Sequence, residues 1–533
     1  MSQIHSVVSM PQELARSLQR DSTPKLTALE LLKRLAQSIG LASLILVMNY
    51  GDLLGGGADV RMHVPYGLVG ICEAQIADIL FLGIVIFILL VVLSRTKIYP
   101  WVRLVVAMLV PPYLIWRTQA LYPAIMFDGL VPILFAVWAS LLVLLLLRFR
   151  RLYNNLMKLG DAIGIFFAMF ALCSLIQLLW VMHWKPGPRV IRPAWAAAPQ
   201  PPRNHPRLVW VIFDELSYDQ LFEHRAHDLS LPHFDALRRE STLFTNVQPA
   251  GYKTVKIIPS LFTGHTVDDF RYRFDNSFVV HYAGMKGWHP LNGSNSLFHD
   301  AQASGWRTAV VGWYNPYCTI YGDAIDDCYW NNLDRIDGLM SQRDSFQRNT
   351  WSPLEQAVRE IRAPARADRR GCNYDVKQRL KTHLDLEQHW MQLFKADQDD
   401  FVYLHLSIPH SPNIWSRLND NYTELCDSSY LDSLALADRE LGILLAELQA
   451  SPRWKDTTLI VEGDHGWRID LWNWLPSWTD EDDAAARDNF DPRPALIIHQ
   501  AGQTQPQTVS NAWPLLNVHN VIEETLHGQP VHY

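Results

Sequence analysis

Residues 207–213 read RLVWVIF and are closed by Asp214 and Glu215. A compact apolar run of this length, bounded by Pro206 and a carboxylate, predicts a buried parallel strand. The same grammar repeats outward from it. LPHFDALRREST (231–242) and SLFHDAQASGW (296–306) predict helices. RTAVVGW (307–313) and FVYLHLSI (401–408) predict strands, and YLDSLALADRELGILLAELQA (430–450) predicts a long amphipathic helix. TTLIVEG (457–463) and PALIIHQ (494–500) predict two further strands. Helices alternating with buried strands imply an α/β domain with a mostly parallel central sheet. Ligands of such sheets collect at the carboxyl ends of the strands. There the chain sets Asp214 and Glu215, then His405 with Pro409-His410, then Asp464-His465. Each pair alone has a plainer reading as a helix cap or a solvated turn. Together, carboxylates and imidazoles from three strand ends suit a divalent metal of mixed oxygen and nitrogen ligation.

The chain before this domain has another character. Of 533 residues, 49% are apolar and 19% charged, and the mean hydropathy of -0.04 resembles that of a soluble protein. Residues 1–205 hold 18 Lys and Arg against 9 Asp and Glu, whereas residues 206–533 hold 29 against 45. A basic, apolar front and an acidic back read as a membrane anchor joined to a polar domain. Five apolar stretches near 35–55, 67–94, 99–117, 126–147 and 161–183 are long enough to span a bilayer. The third is the weakest, with Arg103 and Pro111-Pro112 inside it. The expected N-terminal unit is thus a membrane domain of about five transmembrane helices over 1–184. No short apolar core of a cleavable leader is visible in the first 35 residues.

With the N-terminus in the cytoplasm, inner segments carry Arg16, Arg20, Lys25, Lys33, Arg34, Arg95, Lys97, Arg103, Arg148, Arg150, Arg151 and Lys158, and outer loops only Arg61 and Arg117. The positive-inside rule then puts everything after residue 185 on the far side of a bacterial inner (cytoplasmic) membrane, in the periplasm or its equivalent. Glu73 and Asp78 in the second stretch are read as interfacial or paired within the bundle. The Pro-rich segment 185–206 reads as a semi-rigid linker, and 207–533 as the exported domain. Four cysteines, Cys318, Cys328, Cys372 and Cys426, fall in that domain, where an oxidising space favours pairing. Three pairings are open; the ten-residue spacing suits a local Cys318–Cys328 loop, which would leave Cys372 with Cys426. The acidic charge and the outside location disfavour nucleic acid as a partner.

Further motifs carry a resemblance. VWVIFDELSYDQL, LPHFDALRRESTLFTNVQPAGYKT and IIPSLFTG resemble the start of a sulfatase domain in the alkaline phosphatase superfamily. HLSIPHSPNIW, YLDSLALADRELGILLAEL and LIVEGDHGW resemble that family's later segments, in the family's order over about 206–525. Five spans before such a domain resemble the layout of phosphoethanolamine transferases and lipoteichoic-acid (phosphoglycerol) synthases. Formylglycine sulfatases need Cys or Ser two residues before the Pro and Arg after Pro-Ser; here Ile257 and Leu261 stand there. The resembling transferases carry Thr five residues before that Pro, which is Thr254.

The resemblance implies a nucleophilic Thr254, itself a metal ligand as its alkoxide, on a metal held by Asp464, His465 and Glu215 with Asp214. It implies attack on a phospholipid head group in the outer leaflet, release of diacylglycerol, and passage of the head group from a phosphothreonine to an envelope glycan or lipid. Zn2+ suits the ligands, with Mn2+ close behind. Lys256 and His410 are the expected stabilisers of phosphoryl charge, with His405 behind them or moving a proton. The stretch RIDLWNWLPSWTDEDD (468–483) lacks the further His that related transferases place downstream, so a complete second metal at the centre is not expected. Its Trp472, Trp474 and Trp478, with Trp467, suit either an interfacial loop or an aromatic core loop. Water as acceptor would make the protein a phosphodiesterase or sulfatase-like hydrolase. A non-catalytic envelope-binding protein on this scaffold is the third reading.

Overall fold

The computed structural model describes residues 27–55, 67–118, 131–183, 206–272, 277–331, 335–336, 340–341, 345–353, 369–486 and 490–533. The linker up to residue 205 and the basic residues Arg16, Arg20, Lys25 and Arg61 lie outside them. The chain divides into two compact units: one of the helices before Trp184, grouped with Leu339–Gln356, and one of Lys185–Gly338 with Ala357–Tyr533.

In the helical unit, α1 (Ala28–Gly55), α2 (Val69–Leu93), α3 (Tyr99–Thr118), α4 (Val131–Arg148) and α5 (Arg150–Val181) occupy the five apolar stretches. Of these, α2 and α5 are long and apolar enough to cross a membrane. The five-crossing topology therefore rests on the sequence pattern. Phe81, Ile84 and Ile88 of α2 and Phe166, Met169 and Leu172 of α5 are exposed, as lipid-facing side chains would be. Helix α1 approaches α5 at Gly40, where a Cβ would stand 2.7 Å from the Ala168 nitrogen and 2.9 Å from the Gly164 carbonyl. Small residues let apolar helices pack this closely. Arg103, the charge inside the weakest stretch, finds Asp161 of α5 at 2.6 Å.

The second unit is built on an eight-stranded sheet. Its strands are β1 (Arg207–Phe213), β2 (Thr242–Phe244), β3 (Thr308–Trp313), β4 (Asp327–Asn331), β5 (Phe401–Leu406), β6 (Thr457–Gly463), β7 (Leu496–His499) and β8 (Gln507–Val509). They lie in the order β8-β2-β7-β6-β1-β5-β3-β4. Every pairing is parallel except the two made by β7. All eight expected elements recur, three with the expected bounds (207–213, 430–450 and 457–463) and five with trimmed ends. The strand expected at 494–500 is β7, the one that runs against the others.

Strand β1 is buried over all seven residues because both faces are covered. Val209, Val211 and Phe213 join one core with side chains of α6 (Pro232–Arg238), α9 (Arg369–Ala396) and α10 (Tyr430–Ala450). Leu208, Trp210 and Ile212 join another with α7 (Thr254–Thr263), α8 (Leu297–Ala303) and α11 (Val518–Leu526). The period of two therefore hides inside a continuous apolar run, because neither face meets water. Helix α9 was not expected: nine of its 28 residues are Lys, Arg, Asp or Glu, and its apolar residues Val376, Leu386, Trp390, Leu393 and Phe394 are spread among polar ones.

Disulfides join Cys318 to Cys328 and Cys372 to Cys426. The second spans 54 residues and ties the start of α9 to the segment before α10. Closing a loop of that length restricts the unfolded chain by about 4 kcal/mol in the chain-entropy model. We expect the double substitution Cys372→Ala, Cys426→Ala to lower the denaturant midpoint accordingly. Cys318→Ala, Cys328→Ala, which opens a loop of ten residues, should cost about 1.5 kcal/mol less.

Candidate active site

The register sets the site. Phe213 pairs with Gly463 on one side and Leu406 on the other, so β1, β5 and β6 end side by side. Asp214 and Asp464 each follow the last residue of adjacent strands, and His405 lies on β5 beside Ile212. Thr254 arrives from elsewhere, as the first residue of α7 after Lys253 at its N-cap. All four are buried, as is His465.

The Thr254 hydroxyl donates to Asp464 Oδ2 at 2.7 Å and lies 3.3 Å from His465 Nε2. His465 Nε2 is 3.1 Å from Asp464 Oδ2 and 3.7 Å from Asp214 Oδ1. One ligand atom from each of Asp214, Asp464 and His465 lies within 4.8 Å of the others. The remaining Asp464 oxygen, Oδ1, accepts the Glu215 and His465 N–H groups, which fixes the carboxylate. Thr254 also sits at the positive end of the α7 dipole, where negative charge is favoured.

These residues fit a divalent cation. Both Asp214 oxygens and His405 Nε2 are buried without a hydrogen-bond partner, although they lie 3.4 Å apart at the closest. Buried polar atoms are normally satisfied, so such orphans mark a missing partner. Burial, and next the Asp464 charge, push the Asp214 carboxyl well above the carboxylate range. Burial also raises Asp464, but His465, His405, Arg468 and the Thr254 hydroxyl together hold it below that range. Two adjacent buried carboxylates with an imidazole are balanced by a cation with oxygen and nitrogen affinity.

Glu215 is placed differently. Its backbone is left-handed, at φ 69°. A non-glycine residue held there costs of order 1 kcal/mol or more and is characteristic of functional turns. The turn sends the neighbouring carboxylates to different partners. Glu215 receives the Arg468 Nε–H at 2.6 Å and the Trp472 indole N–H at 2.8 and 2.9 Å. Expected among the metal ligands, it is instead engaged by a buried guanidinium, outside the Asp214, Asp464 and His465 group.

Lys256, expected to stabilise phosphoryl charge, does not join the site. Its ammonium donates to the Asp268 carbonyl. Two residues along a helix turn a side chain by about 200°, so Lys256 and Thr254 leave α7 on nearly opposite sides. His410 does join it, with Nδ1 3.2 Å from Arg379, between the rings of Trp313 and Trp472, each with its centroid 5.0 Å away. Burial, then the Arg379 and Arg468 charges, push its imidazole well below the histidine range. Burial likewise takes His405 down to about 4, and its Nδ1 lies 2.7 Å from the Tyr317 hydroxyl. Both rings are therefore neutral near pH 7, and neither supplies positive charge.

Two arginines supply that charge instead, and the sequence reading missed both. Arg468 is nearly buried against Glu215. Arg379, on α9, is 2% exposed, with its guanidinium carbon 4.2 Å from the Trp313 ring centre. It donates to the Ser411 carbonyl at 2.8 Å, while its Nε and Nη1 have no partner. Burial lowers it to about 10, against the pull of Asp214 and Glu215. It stays charged at neutral pH, with donors free for an anion. For Arg468 the one available signal was its place in the DHGWR run, four residues after Asp464.

The tryptophan loop divides. Trp467 stacks on Tyr430 at 4.3 Å and on Trp478 at 5.3 Å, and Trp472 binds Glu215, so these three are structural. Trp474 is 62% exposed.

Compared with known proteins, residues 206–485 match the model of the family described as Sulfatase. Among solved structures, the PsFucS1 sulfatase from Pseudoalteromonas sp. is 15% identical, with 61% of this chain and 68% of that chain covered and a TM-score of 0.42. The phosphonate monoester hydrolase of Agrobacterium radiobacter is 14% identical, with coverage of 61% and 74% and a TM-score of 0.38. The lipoteichoic acid synthase LtaP from Listeria monocytogenes is 14% identical, with coverage of 61% and 72% and a TM-score of 0.37. No curated protein matches the chain.

Proposed function

The chain belongs to the sulfatase family, and from that premise we propose that it is a membrane-anchored transferase that moves a phospholipid head group through a phosphothreonine at Thr254. The observation that carries the reading is the Thr254 hydroxyl, buried at a helix N-terminus and bonded to Asp464 beside the orphaned oxygens of Asp214. Ile257 stands where a formylglycine precursor would be needed, which leaves Thr254 as the nucleophile.

A divalent cation bound by Asp214, Asp464 and His465, most readily Zn2+, would favour the Thr254 alkoxide and offset charge on the phosphoryl group. Thr254 Oγ1 attacks phosphorus, and the bond from phosphorus to the diacylglycerol oxygen breaks. The proton lost by Thr254 ends on the released diacylglycerol. An acceptor hydroxyl, on an envelope glycan or lipid, then displaces Thr254, and its proton returns to the threonine. Arg379, with two free donors, binds the phosphoryl oxygens, and His410 offers a neutral hydrogen bond next to it. Arg468 holds Glu215 and the turn after β1, and the neutral His405 ring stands 3.4 Å from Asp214. The apolar helices α2 and α5 keep the domain at a bilayer whose outer leaflet, on this topology, supplies the donor.

The test is to incubate detergent-solubilised protein with a fluorescent phospholipid. Diacylglycerol release that needs an added acceptor, with the mass of one head group appearing on the Thr254 peptide, is the expected result. Turnover without an acceptor would assign a hydrolase instead, and no release from any phospholipid would overturn the lipid donor.

A further inference from the structure

A second polar cluster lies between α9 and α10, one helical turn beyond Arg379 on α9, and the chemistry above does not use it. His383 and Glu387 stand one turn apart on α9, and Glu440 lies on α10. One ligand atom from each lies within 4.8 Å of the other two. His383 and Glu440 are buried, at 2% and 1% exposed, and Glu387 is half-buried. His383 Nε2 is 3.9 Å from Glu440 Oε1. That is within about half an ångström of the spacing between two ligands of a tetrahedral zinc, roughly 3.4 Å for bonds near 2.0–2.1 Å.

The groups around the cluster leave it unbalanced. The Tyr422 hydroxyl is 3.3 Å from His383 Nε2, 3.4 Å from Glu387 Oε2 and 3.5 Å from Glu440 Oε1. It has one proton to give, so it cannot satisfy both carboxylates. Arg439 donates to Glu440 Oε1 at 3.2 Å, while its guanidinium lies over the Trp415 and Tyr422 rings. Glu440 Oε2 has no partner although it is buried. A buried, unpaired carboxylate oxygen beside a second carboxylate and an imidazole is a donor set with one component absent.

We propose that His383, Glu387 and Glu440 form a second divalent-cation site, separate from the Thr254 centre, that clamps α9 to α10. Zinc matches the donors, an imidazole nitrogen and two carboxylate oxygens. The clamp lies one helical turn beyond Arg379 on α9, so it also steadies the helix that delivers that cation to the phosphoryl site. The inference goes beyond the reading of Thr254 and does not rest on it.

Zinc titration of chelator-stripped, detergent-solubilised full-length protein tests it. Wild type is expected to bind two ions per chain, Asp464→Asn one, Glu440→Gln one, and the double variant none. Glu387→Gln, at a half-buried and more tolerant position, should also lose one ion. Cobalt in Asp464→Asn should give visible absorption that disappears when Glu440→Gln is added. The inference is overturned if Asp464→Asn abolishes all binding, or if Glu440→Gln and Glu387→Gln both keep the wild-type stoichiometry. A single ion lost with Glu440→Gln but kept in Asp464→Asn would uphold this site and overturn the metal reading of the Thr254 centre.

Discussion

Replacing Thr254 by alanine is expected to abolish head-group transfer, with turnover falling at least about 10⁴-fold. The substitution removes the attacking oxygen and nothing else of consequence to the fold. Thr254 is buried at the first position of α7, and its one strong side-chain bond is to Asp464. Losing a hydrogen bond of this kind costs about 1 kcal/mol. Alanine is also an excellent helix residue, so α7 keeps its start. The melting temperature should therefore move by a few degrees at most, and zinc binding should survive through Asp214, Asp464 and His465. No mass should appear on the peptide that holds position 254. Thr254→Ser keeps the hydroxyl and should retain measurable transfer. Lys256→Ala is the control: its ammonium is bonded to the Asp268 carbonyl, and activity should stay within about twofold of wild type. Full transfer by Thr254→Ala would remove the phosphothreonine from the mechanism.

The contrast between Thr254 and Arg379 also shows what could be read from the sequence. Asp214 and Asp464 were legible because each follows a strand of seven residues built around an apolar stretch, VWVIF or LIV, and parallel strands bring such ends together. Thr254 was legible only through its spacing from Pro259. Arg379 lies in RRGCNYDVKQRLKTH, where charged residues at every turn suggest a solvated face. It is buried because α9 packs across the sheet and brings it over Trp313, which a local pattern does not record. Glu215 was grouped with Asp214 because the two are adjacent. The left-handed backbone at Glu215 separates them, and the arginine that captures it lies 253 residues away. The tryptophans after Asp464 were ambiguous for a related reason: stacking of Trp467 on Tyr430 depends on α10, not on the loop's own composition.

Asp464→Asn should remove the cation at the Thr254 centre and lower turnover by at least about 10³-fold, without unfolding the domain. Asn keeps an oxygen for the Glu215 and His465 N–H groups and turns an amide toward Thr254, so the shape of the turn survives. What it loses is the negative charge that a cation needs, and excess zinc should not restore transfer. The stability consequence has a definite sign. Asp464 is held below the carboxylate range in the fold, so by itself it stabilises above the unfolded pKa and loses that contribution as pH falls through the folded value. Asp214 is raised by burial and then by Asp464, so its contribution opposes folding once pH exceeds the unfolded pKa. Asparagine at 464 removes the first effect and relieves the second. Cation-stripped Asp464→Asn should therefore melt close to stripped wild type near pH 7, and the gap between them should narrow further in acid. A collapse of the stripped variant at neutral pH would mean that Asp464 holds the fold together rather than the ion.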